Sequence, residues 1–333
     1  ILNKLSWNGK RITIKEIKTI SWVTIPIWPD DIIVVVGPNS VWKSQFIKEI
    51  AKFFTDFKKK VIQELKVEYS GDITIFKHRL INNFSFKGVS YSSFNWDIQE
   101  AYIDQRWSDN PVFLKAFYSL FQKSLDTESR LWIAKSTDAI WRADASSTHI
   151  FHEFYKSSFG DELKKLNEYM YKWFKKYLIN DPKWGKKLSF YTHSENYSES
   201  LSIDDYYRFI EEVVIKEGTL SDEEGDGLKS FIGVVGSCIV GSHNILCIDE
   251  PESFLHPPQA EFLWKIICEI SLGKQLFLTT HSADFVRGIV ANSSSRVKIV
   301  RIMREGNFNT FNVLDNSQVY EFLSDPILKY SNI

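Results

Sequence analysis

The stretch "DDIIVVVGPNSVWKS", residues 30–44, decides the fold. Its first half is short, apolar and β-branched, which is typical of a strand buried on both faces of a sheet. This strand runs into Gly37, and a helical pattern follows from Lys43 to about Phe57. A buried strand that passes through a short loop into a helix indicates a sheet covered by helices, an α/β fold.

The loop between strand and helix follows most of the pattern Gly-x4-Gly-Lys-Ser/Thr. In that pattern backbone N–H groups surround phosphates, the Lys bridges the outer phosphates and the hydroxyl binds Mg²⁺. The predicted nucleotide-binding residues are Gly37, Pro38, Asn39, Lys43 and Ser44, and Ser44 is also a predicted metal ligand. Trp42 stands where the pattern has its second glycine. An ordinary strand–turn–helix with a chance Lys-Ser would leave the same letters.

A second apolar strand, "ILCIDEPE", residues 245–252, ends in two carboxylates. Asp249 is placed to bind Mg²⁺, and Glu250 beside it is placed to orient or deprotonate an attacking water. Acidic residues that cap the next segment would look similar. Two carboxylates at the tip of a buried strand are less common, because burial there is costly unless a cation compensates.

Two further elements complete the order along the chain. The strand "LTTHS" ends at His281, where a neutral imidazole can hydrogen-bond a γ-phosphate and sense its loss. The glycine-rich stretch "EEGDGLKSF" offers Gly225, Gly227 and Ser230 to an anion beside the start of a helix. Each element is weak alone, but the four in this order favour a nucleotide site over chance.

Composition limits the alternatives. The chain has 333 residues, 44% hydrophobic and 25% charged, with a net charge of -1, so disorder is excluded as a whole-chain description. We see no apolar run of membrane-spanning length and no secretory leader, and we expect a cytoplasmic protein with no membrane partner. Cys238, Cys247 and Cys268 all lie in apolar runs, which predicts buried thiols in a reducing compartment.

The remaining chain divides by pattern. Hairpins are predicted at Asn8-Gly9, around Gly71-Asp72 and over 297–314, and residues from about 110 to 217 look mostly helical. One helix there places Leu163, Leu166, Met170, Trp173 or Phe174, and Tyr177 on one face. Past Gly225, helices near 228–240, 259–272 and from 282 alternate with the apolar strands, which indicates a parallel sheet.

The four elements together resemble the ABC-type ATPases that include SMC and RecF-like proteins. "GPNSVWKS" resembles the Walker A loop, "EGDGLKS" a divergent signature motif, "ILCIDEPESFLHPPQ" Walker B with its D-loop, and "LTTHSADF" the switch-histidine segment. "EPESFLHP" and "EGDGLKSF" are similar to the OLD family (overcoming lysogenization defect), whose members join this ATPase to a Toprim nuclease. The resemblance covers about residues 1–80 and 220–333.

The resemblance implies an ABC-type ATPase with a mixed or parallel β core covered by helices and a helical insertion. Three parts are expected: an ATPase lobe over 1–110 with Walker A, a helical insertion over 111–217 that dimerises or contacts DNA, and a second lobe over 218–333. Nothing after Ile299 offers the Glu and Asp-x-Asp of a Toprim site, so that nuclease domain is expected beyond residue 333.

The resemblance also implies the activity. ATP and Mg²⁺ are the expected cofactors, with Glu250 and His281 catalytic, Asp249 and Ser44 on the metal, and Ser230 of one protomer facing the nucleotide of another. The expected protein is a homo-oligomeric, dimeric or larger, ATPase of a DNA endonuclease in anti-phage defence, with DNA and a nuclease domain or defence protein as partners.

Two alternatives remain open: a RecF/SMC-like DNA-repair ATPase without nuclease, and a catalytically silent scaffold. The scaffold reading rests on Trp42, because phosphate approaches this loop so closely that a Cβ is crowded and an indole more so. Either the loop is remodelled around a native Trp42, or Trp42 is a lesion that impairs nucleotide binding.

Overall fold

The structure, a computed structural model, describes residues 11–38, 42–53, 59–70, 122–138, 149–156, 161–181, 187–195, 203–240, 243–291, 295–305, 308–314 and 318. The predicted turns at Asn8-Gly9 and Gly71-Asp72, and loop residue Asn39, lie outside these ranges.

The described ranges contain both strands and helices. The strands are β1 (Arg11–Thr19), β2 (Thr24–Pro26), β3 (Ile32–Val36), β4 (Ile62–Ser70), β5 (Gln122–Leu125), β6 (Thr137–Asp138), β7 (Tyr177–Asn180), β8 (Lys187–Leu188), β9 (Phe190–His193), β10 (Thr219–Leu220), β11 (Ile245–Asp249), β12 (Gln275–Thr279), β13 (Val297–Glu305) and β14 (Phe308–Leu314). The α-helices are α1 (Lys43–Ala51), α2 (Thr127–Trp132), α3 (Ile150–Lys156), α4 (Asp161–Phe174), α5 (Ile203–Phe209), α6 (Ile215–Glu217), α7 (Asp226–Ile239), α8 (Pro257–Ile270) and α9 (Ala283–Ala291).

The centre of the fold is a six-stranded sheet in the order β14-β13-β3-β12-β11-β5. Neighbouring strands from β13 to β5 are parallel, and β14 pairs antiparallel with β13 through the predicted closing hairpin. Since consecutive parallel strands need a crossover, the chain passes through α8 between β11 and β12 and through α9 between β12 and β13. The predicted mixed, mainly parallel α/β sheet is therefore confirmed.

Strand β3 shows why an uninterrupted apolar run was needed. Ile32, Val34 and Val36 enter the core cluster on the α7 and α8 side, while Ile33 and Val35 enter a second cluster that contains α1 and the sheet β2-β1-β4. All five side chains have no exposed surface. Alternate residues of a strand point to opposite faces, so a strand covered on both faces has no place for polar residues.

The middle of the chain is more mixed than the sequence indicated. Strands β7, β9 and β10 form a three-stranded antiparallel sheet, and β6 pairs with β8. Strand β5 is the edge strand of the central sheet, next to β11. Helix and strand thus both occur between 122 and 217, and the three-part division of the chain stays a prediction.

Helix bounds differ from the predicted ones in two places. Helix α1 ends at Ala51, earlier than the predicted Phe57. Helix α4 ends at Phe174, because Lys175 takes a left-handed backbone conformation with φ of 53°. Tyr177 therefore begins β7 and is not on the helix face as predicted, whereas Leu163, Leu166 and Met170 are buried there.

A π-helical turn, Ile210–Val214, joins α5 to α6, which ends at Glu217. Cys238 and Cys247 are buried as predicted, and Cys268 is partly exposed. None of the helices in the described ranges is long and apolar enough to cross a bilayer.

Candidate functional site

The polar residues predicted to act together follow neighbouring strands of the central sheet. Strand β12 lies between β3 and β11, with Thr279 paired in register with both Val35 and Asp249. Because parallel strands end at the same edge, the residues after β3, β11 and β12 converge there. Lys43, Asp249 and His281 are thereby brought to one end of the sheet, as the sequence predicted.

Lys43 is the first residue of α1, and its side chain extends back to the loop that follows β3. Its side chain is buried, and its Nζ donates to the carbonyl of Gly37 at 2.5 Å and to that of Pro38 at 3.1 Å. Burial lowers the pKa of the Lys43 amine, while the carboxylates of Glu250 and Asp249 act to raise it. The ammonium therefore occupies the mouth of the loop, held by backbone carbonyls of that loop.

Ser44 and Asp249 meet across the sheet edge. The Ser44 hydroxyl donates to Asp249 Oδ1 at 3.0 Å, and the Thr279 hydroxyl donates to the same oxygen. Hydroxyl and carboxylate oxygens are the hard ligands that Mg²⁺ prefers, and two ligands at adjacent corners of its octahedron lie about 3 Å apart. The pair fits Mg²⁺. The described residues hold no group of three or more acidic, His or Cys side chains that could bind a metal.

Glu250 and His281 form an ion pair, with His281 Nδ1 2.9 Å from Glu250 Oε1. The hydrogen bond from His281 lowers the pKa of Glu250, and the same bond raises the pKa of His281. Ser253 donates to the second oxygen of Glu250 at 3.2 Å. Both side chains remain about one third exposed, so an ionised carboxylate faces solvent here.

The backbone at Glu250 is strained. Its φ is 50°, which few residues other than glycine adopt and which costs of order 1–3 kcal/mol. The Glu250 N–H donates to the carbonyl of Thr279 at 3.0 Å, which holds this conformation in place. Strain of this kind is concentrated at functional sites, and here it turns the carboxylate towards His281.

Glu252 is a third carboxylate in the same turn, and it is buried. The Thr280 hydroxyl donates to its Oε1 at 2.5 Å, while its Oε2 has no hydrogen-bond partner in the described part of the chain. Burial raises the pKa of Glu252 to about 7. The sequence pattern did not predict a role for Glu252.

Trp42 precedes the first residue of α1 with φ of -77° and ψ of 45°, a conformation that does not require glycine. Its side chain is 39% exposed. The start of α1 has no side-chain cap, so its first backbone N–H groups are not satisfied by Trp42. Trp42 thus occupies the position directly before the first backbone N–H groups of α1, the groups that are predicted to face a phosphate.

The glycine-rich stretch forms the start of α7. Gly225 is the residue before the helix and has open space at the position of a Cβ. A Cβ on Gly227 would lie 2.7 Å from the carbonyl oxygen of Phe254, so this glycine lets α7 pack against the turn that follows β11. Ser230 is fully buried and its hydroxyl has no partner in the described residues, so the accessible part of the motif is Gly225, not the predicted Ser230.

Sequence reasoning missed three residues of this region: Glu252, Thr279 and Arg130. Thr279 was visible in "LTTHS" because it ends a strand next to β11, yet only His281 was assigned. Arg130 has no exposed surface and donates through Nη1 to the carbonyl of Asp249. It lies in a short helix within a polar stretch that shares no recognisable spacing with the other motifs, so no sequence signal could have found it.

Comparisons with a protein-family model and with solved structures support the same fold. Residues 33–287 match the model of the family described as "AAA domain, putative AbiEii toxin, Type IV TA system". No curated protein matches the chain. Among solved structures, the SmcHead bound to the C-winged helix domain of ScpA is similar with a TM-score of 0.52 and 12% identity, covering 92% of this chain and 99% of that one.

Two further structures are more distant. The Smc head domain with an extended coiled coil from Pyrococcus furiosus gives a TM-score of 0.48 at 12% identity, covering 94% of this chain and 98% of that one. The ATP-binding cassette of an ABC transporter in its ADP conformation gives 0.43 at 14% identity, covering 96% of both chains. The SmcHead likeness agrees with the predicted ABC/SMC-type fold, which is thereby confirmed.

Proposed function

The chain belongs to this AAA-domain family, and on that premise we propose that it binds and hydrolyses ATP with Mg²⁺ at the ends of β3, β11 and β12. One observation carries the proposal: Ser44 Oγ lies 3.0 Å from Asp249 Oδ1 although 205 positions separate the two residues. Ser44 supplies a hydroxyl at the start of α1, and Asp249 supplies a carboxylate at the end of β11, two strands from β3 in the sheet. A hydroxyl and a carboxylate are the pair that an Mg²⁺–nucleotide needs.

Each predicted residue then has a role. Lys43 exchanges its carbonyl partners for phosphate oxygens, and the backbone N–H groups of the first turn of α1 also bind phosphate. Mg²⁺, when bound, neutralises phosphate charge and polarises the bond to be broken. Glu250, kept ionised by its bond to His281, accepts the proton of the attacking water, and His281 contacts the terminal phosphate.

We further propose, from the resemblance to the OLD family, that ATP binding brings two copies of the chain together, with the Gly225–Gly227 end of α7 facing the nucleotide of the other copy. In this proposal the protein is the cytoplasmic ATPase of a DNA endonuclease in anti-phage defence, and the nuclease lies outside residues 1–333. The segment 111–217 is the part proposed to dimerise or contact DNA, between lobes 1–110 and 218–333.

The experiment measures phosphate release and molecular mass with and without Mg-ATP. Glu250→Gln should retain ATP binding, lose turnover and accumulate as a dimer, because only the group that accepts the proton is removed. Arg287→Gln, at an exposed ion pair on α9, is the control and should behave as the unaltered chain. Turnover that is unchanged in Glu250→Gln would show that Glu250 is not the base.

A second candidate is the catalytically silent scaffold, and Trp42 favours it. Trp42 occupies the position of the second glycine of the pattern, and Lys43 already donates to the carbonyls of Gly37 and Pro38. Titration with a fluorescent ATP analogue separates the two: a chain with Trp at position 42 that binds no nucleotide is a scaffold, and binding restored by Trp42→Gly would assign the block to the indole. A RecF/SMC-like repair ATPase shares the site proposed above and differs in lacking any associated nuclease activity.

A further inference from the structure

Arg130 is buried at the heart of the site without a full set of partners. Its side chain has no exposed surface, and Nη1 donates to the carbonyl of Asp249. The Nε and Nη2 groups have no hydrogen-bond partner in the part of the chain that the structure describes. A buried cation with unused donors is costly, so its presence in an otherwise well-packed core calls for a reason.

The surroundings of Arg130 are fixed by close backbone packing. A Cβ on Gly233 of α7 would lie 2.6 Å from the carbonyl oxygen of Arg130, so helix α7 presses directly on this residue. Asp126 begins α2 by accepting the Ser129 N–H at 2.8 Å. Arg130 is therefore held between the helix that begins at the glycine-rich motif and the tip of β11.

The charges that act on Arg130 come from the turn after β11. Burial lowers the pKa of the Arg130 guanidinium, and the carboxylates of Glu252, Asp249 and Glu250, in that order, act to raise it. Glu252 is itself buried and has an oxygen, Oε2, with no partner among the described residues. Arg130, which donates to the Asp249 carbonyl, is therefore within electrostatic range of the buried carboxylate of Glu252.

We propose that Arg130 is a positioning residue for the nucleotide site: it fixes the carbonyl of Asp249 and balances the charge of Glu252, so that Asp249 and Glu250 keep the places that hydrolysis needs. This rests on the proposed function. Arg130 acts through the backbone carbonyl of Asp249, the proposed metal ligand. Lys cannot replace it fully, because the guanidinium donates to the Asp249 carbonyl and carries its charge on a planar group that the Lys ammonium does not reproduce.

The first test separates positioning from packing. Arg130→Lys and Arg130→Met are compared with Arg287→Met, the exposed control, for ATP hydrolysis and Mg-ATP affinity. Trp42→Gly is the background if the unaltered chain binds ATP too weakly. We expect both Arg130 variants to lose at least about tenfold in kcat with less than about threefold change in Kd, since an interaction that matters only for the reacting geometry is lost. Folded variants with kcat within twofold of the parent would overturn the proposal.

The second test does not depend on nucleotide. Urea unfolding at pH 8 is measured for Arg130→Met, Glu252→Gln and the double variant, and the three changes in the unfolding constant form a cycle. We expect Arg130→Met to increase the unfolding constant at least about tenfold more when Glu252 is present than when it is Gln, because a buried carboxylate is left unbalanced. Additive effects would show that Arg130 only packs, which also overturns the proposal.

The two tests distinguish a failure of the proposed function from a failure of the inference about Arg130. If neither the unaltered chain nor Trp42→Gly binds Mg-ATP, the proposed function fails and with it the role of Arg130 in hydrolysis, while the unfolding cycle still decides whether Arg130 balances Glu252. If ATP is hydrolysed normally and the Arg130 variants match the parent, only the inference about Arg130 fails.

Discussion

Replacing Trp42 with glycine should restore tight nucleotide binding. The indole stands at the residue before α1, where the first N–H groups of the helix have no side-chain cap. Two charge-assisted hydrogen bonds to phosphate are at stake, from the backbone at positions 42 and 43, and each is worth about 1.5–3 kcal/mol. Their sum, about 3–6 kcal/mol, corresponds to roughly a hundredfold to ten-thousandfold in Kd.

The assay is isothermal titration with Mg-ATP on the unaltered chain, on Trp42→Gly, and on Trp42→Gly combined with Lys43→Ala. Trp42→Gly should tighten binding by about a hundredfold or more, and the added Lys43→Ala should abolish the gain because Lys43 supplies the charge that meets the outer phosphates. Equal, tight binding by the unaltered chain and Trp42→Gly would refute the steric reasoning. It would show that the loop is remodelled around the indole.

Three other perturbations follow from single contacts. Gly227→Ala should destabilise the fold by about 1–3 kcal/mol in urea unfolding, because its Cβ meets a backbone oxygen at 2.7 Å, while Gly225→Ala, with open space, should cost no more than about 0.5 kcal/mol. In the unaltered chain the free energy of unfolding should fall by up to about 3 kcal/mol between pH 4.5 and 7, and Glu252→Gln should remove this fall. The charged groups that face the Glu252 carboxyl are Arg130, Lys43, His281 and Glu250, and burial raises its pKa in the folded protein to about 7. Its contribution to the free energy of unfolding is therefore present below the unfolded pKa and lost as pH rises through the folded pKa. Identical pH profiles of the unfolding free energy in the unaltered chain and in Glu252→Gln would contradict this. In native protein a thiol reagent should modify no more than one of the three cysteines. The reason is that Cys238 and Cys247 are buried, and burial raises the pKa of Cys247 to about 12. Rapid labelling of all three cysteines would refute that burial.

The central sheet could be predicted because its signals are local. Apolar runs such as 32–36 and 245–249 are buried on both faces, so the letters alone distinguish them from half-exposed strands. The side chains that follow them converge because parallel strands end at one edge, a rule that needs no coordinates. Lys43, Ser44, Asp249, Glu250 and His281 were found in this way.

The rest depended on contacts between distant residues. Ser230 follows two glycines and looked accessible, but α7 turns its hydroxyl into the core, and helical phase within a motif cannot be read from the motif alone. Strand β5 is four residues long and Arg130 lies just beyond it, so neither has enough periodicity to be recognised. Strand β5 matters because it pairs with β11, and Arg130 matters because it donates to the carbonyl of Asp249.

The central claim is that Ser44 and Asp249 together hold the metal of a nucleotide, and the most direct measurement is the Mg²⁺ dependence of ATP binding. In the Trp42→Gly background, ATP affinity is measured by titration with Mg²⁺ and with EDTA, with and without Asp249→Asn. We expect Mg²⁺ to tighten binding by at least about tenfold, or about 1.4 kcal/mol, and Asp249→Asn to erase most of that difference. Equal affinity in Mg²⁺ and EDTA, or a Mg²⁺ effect that Asp249→Asn leaves intact, would contradict the account.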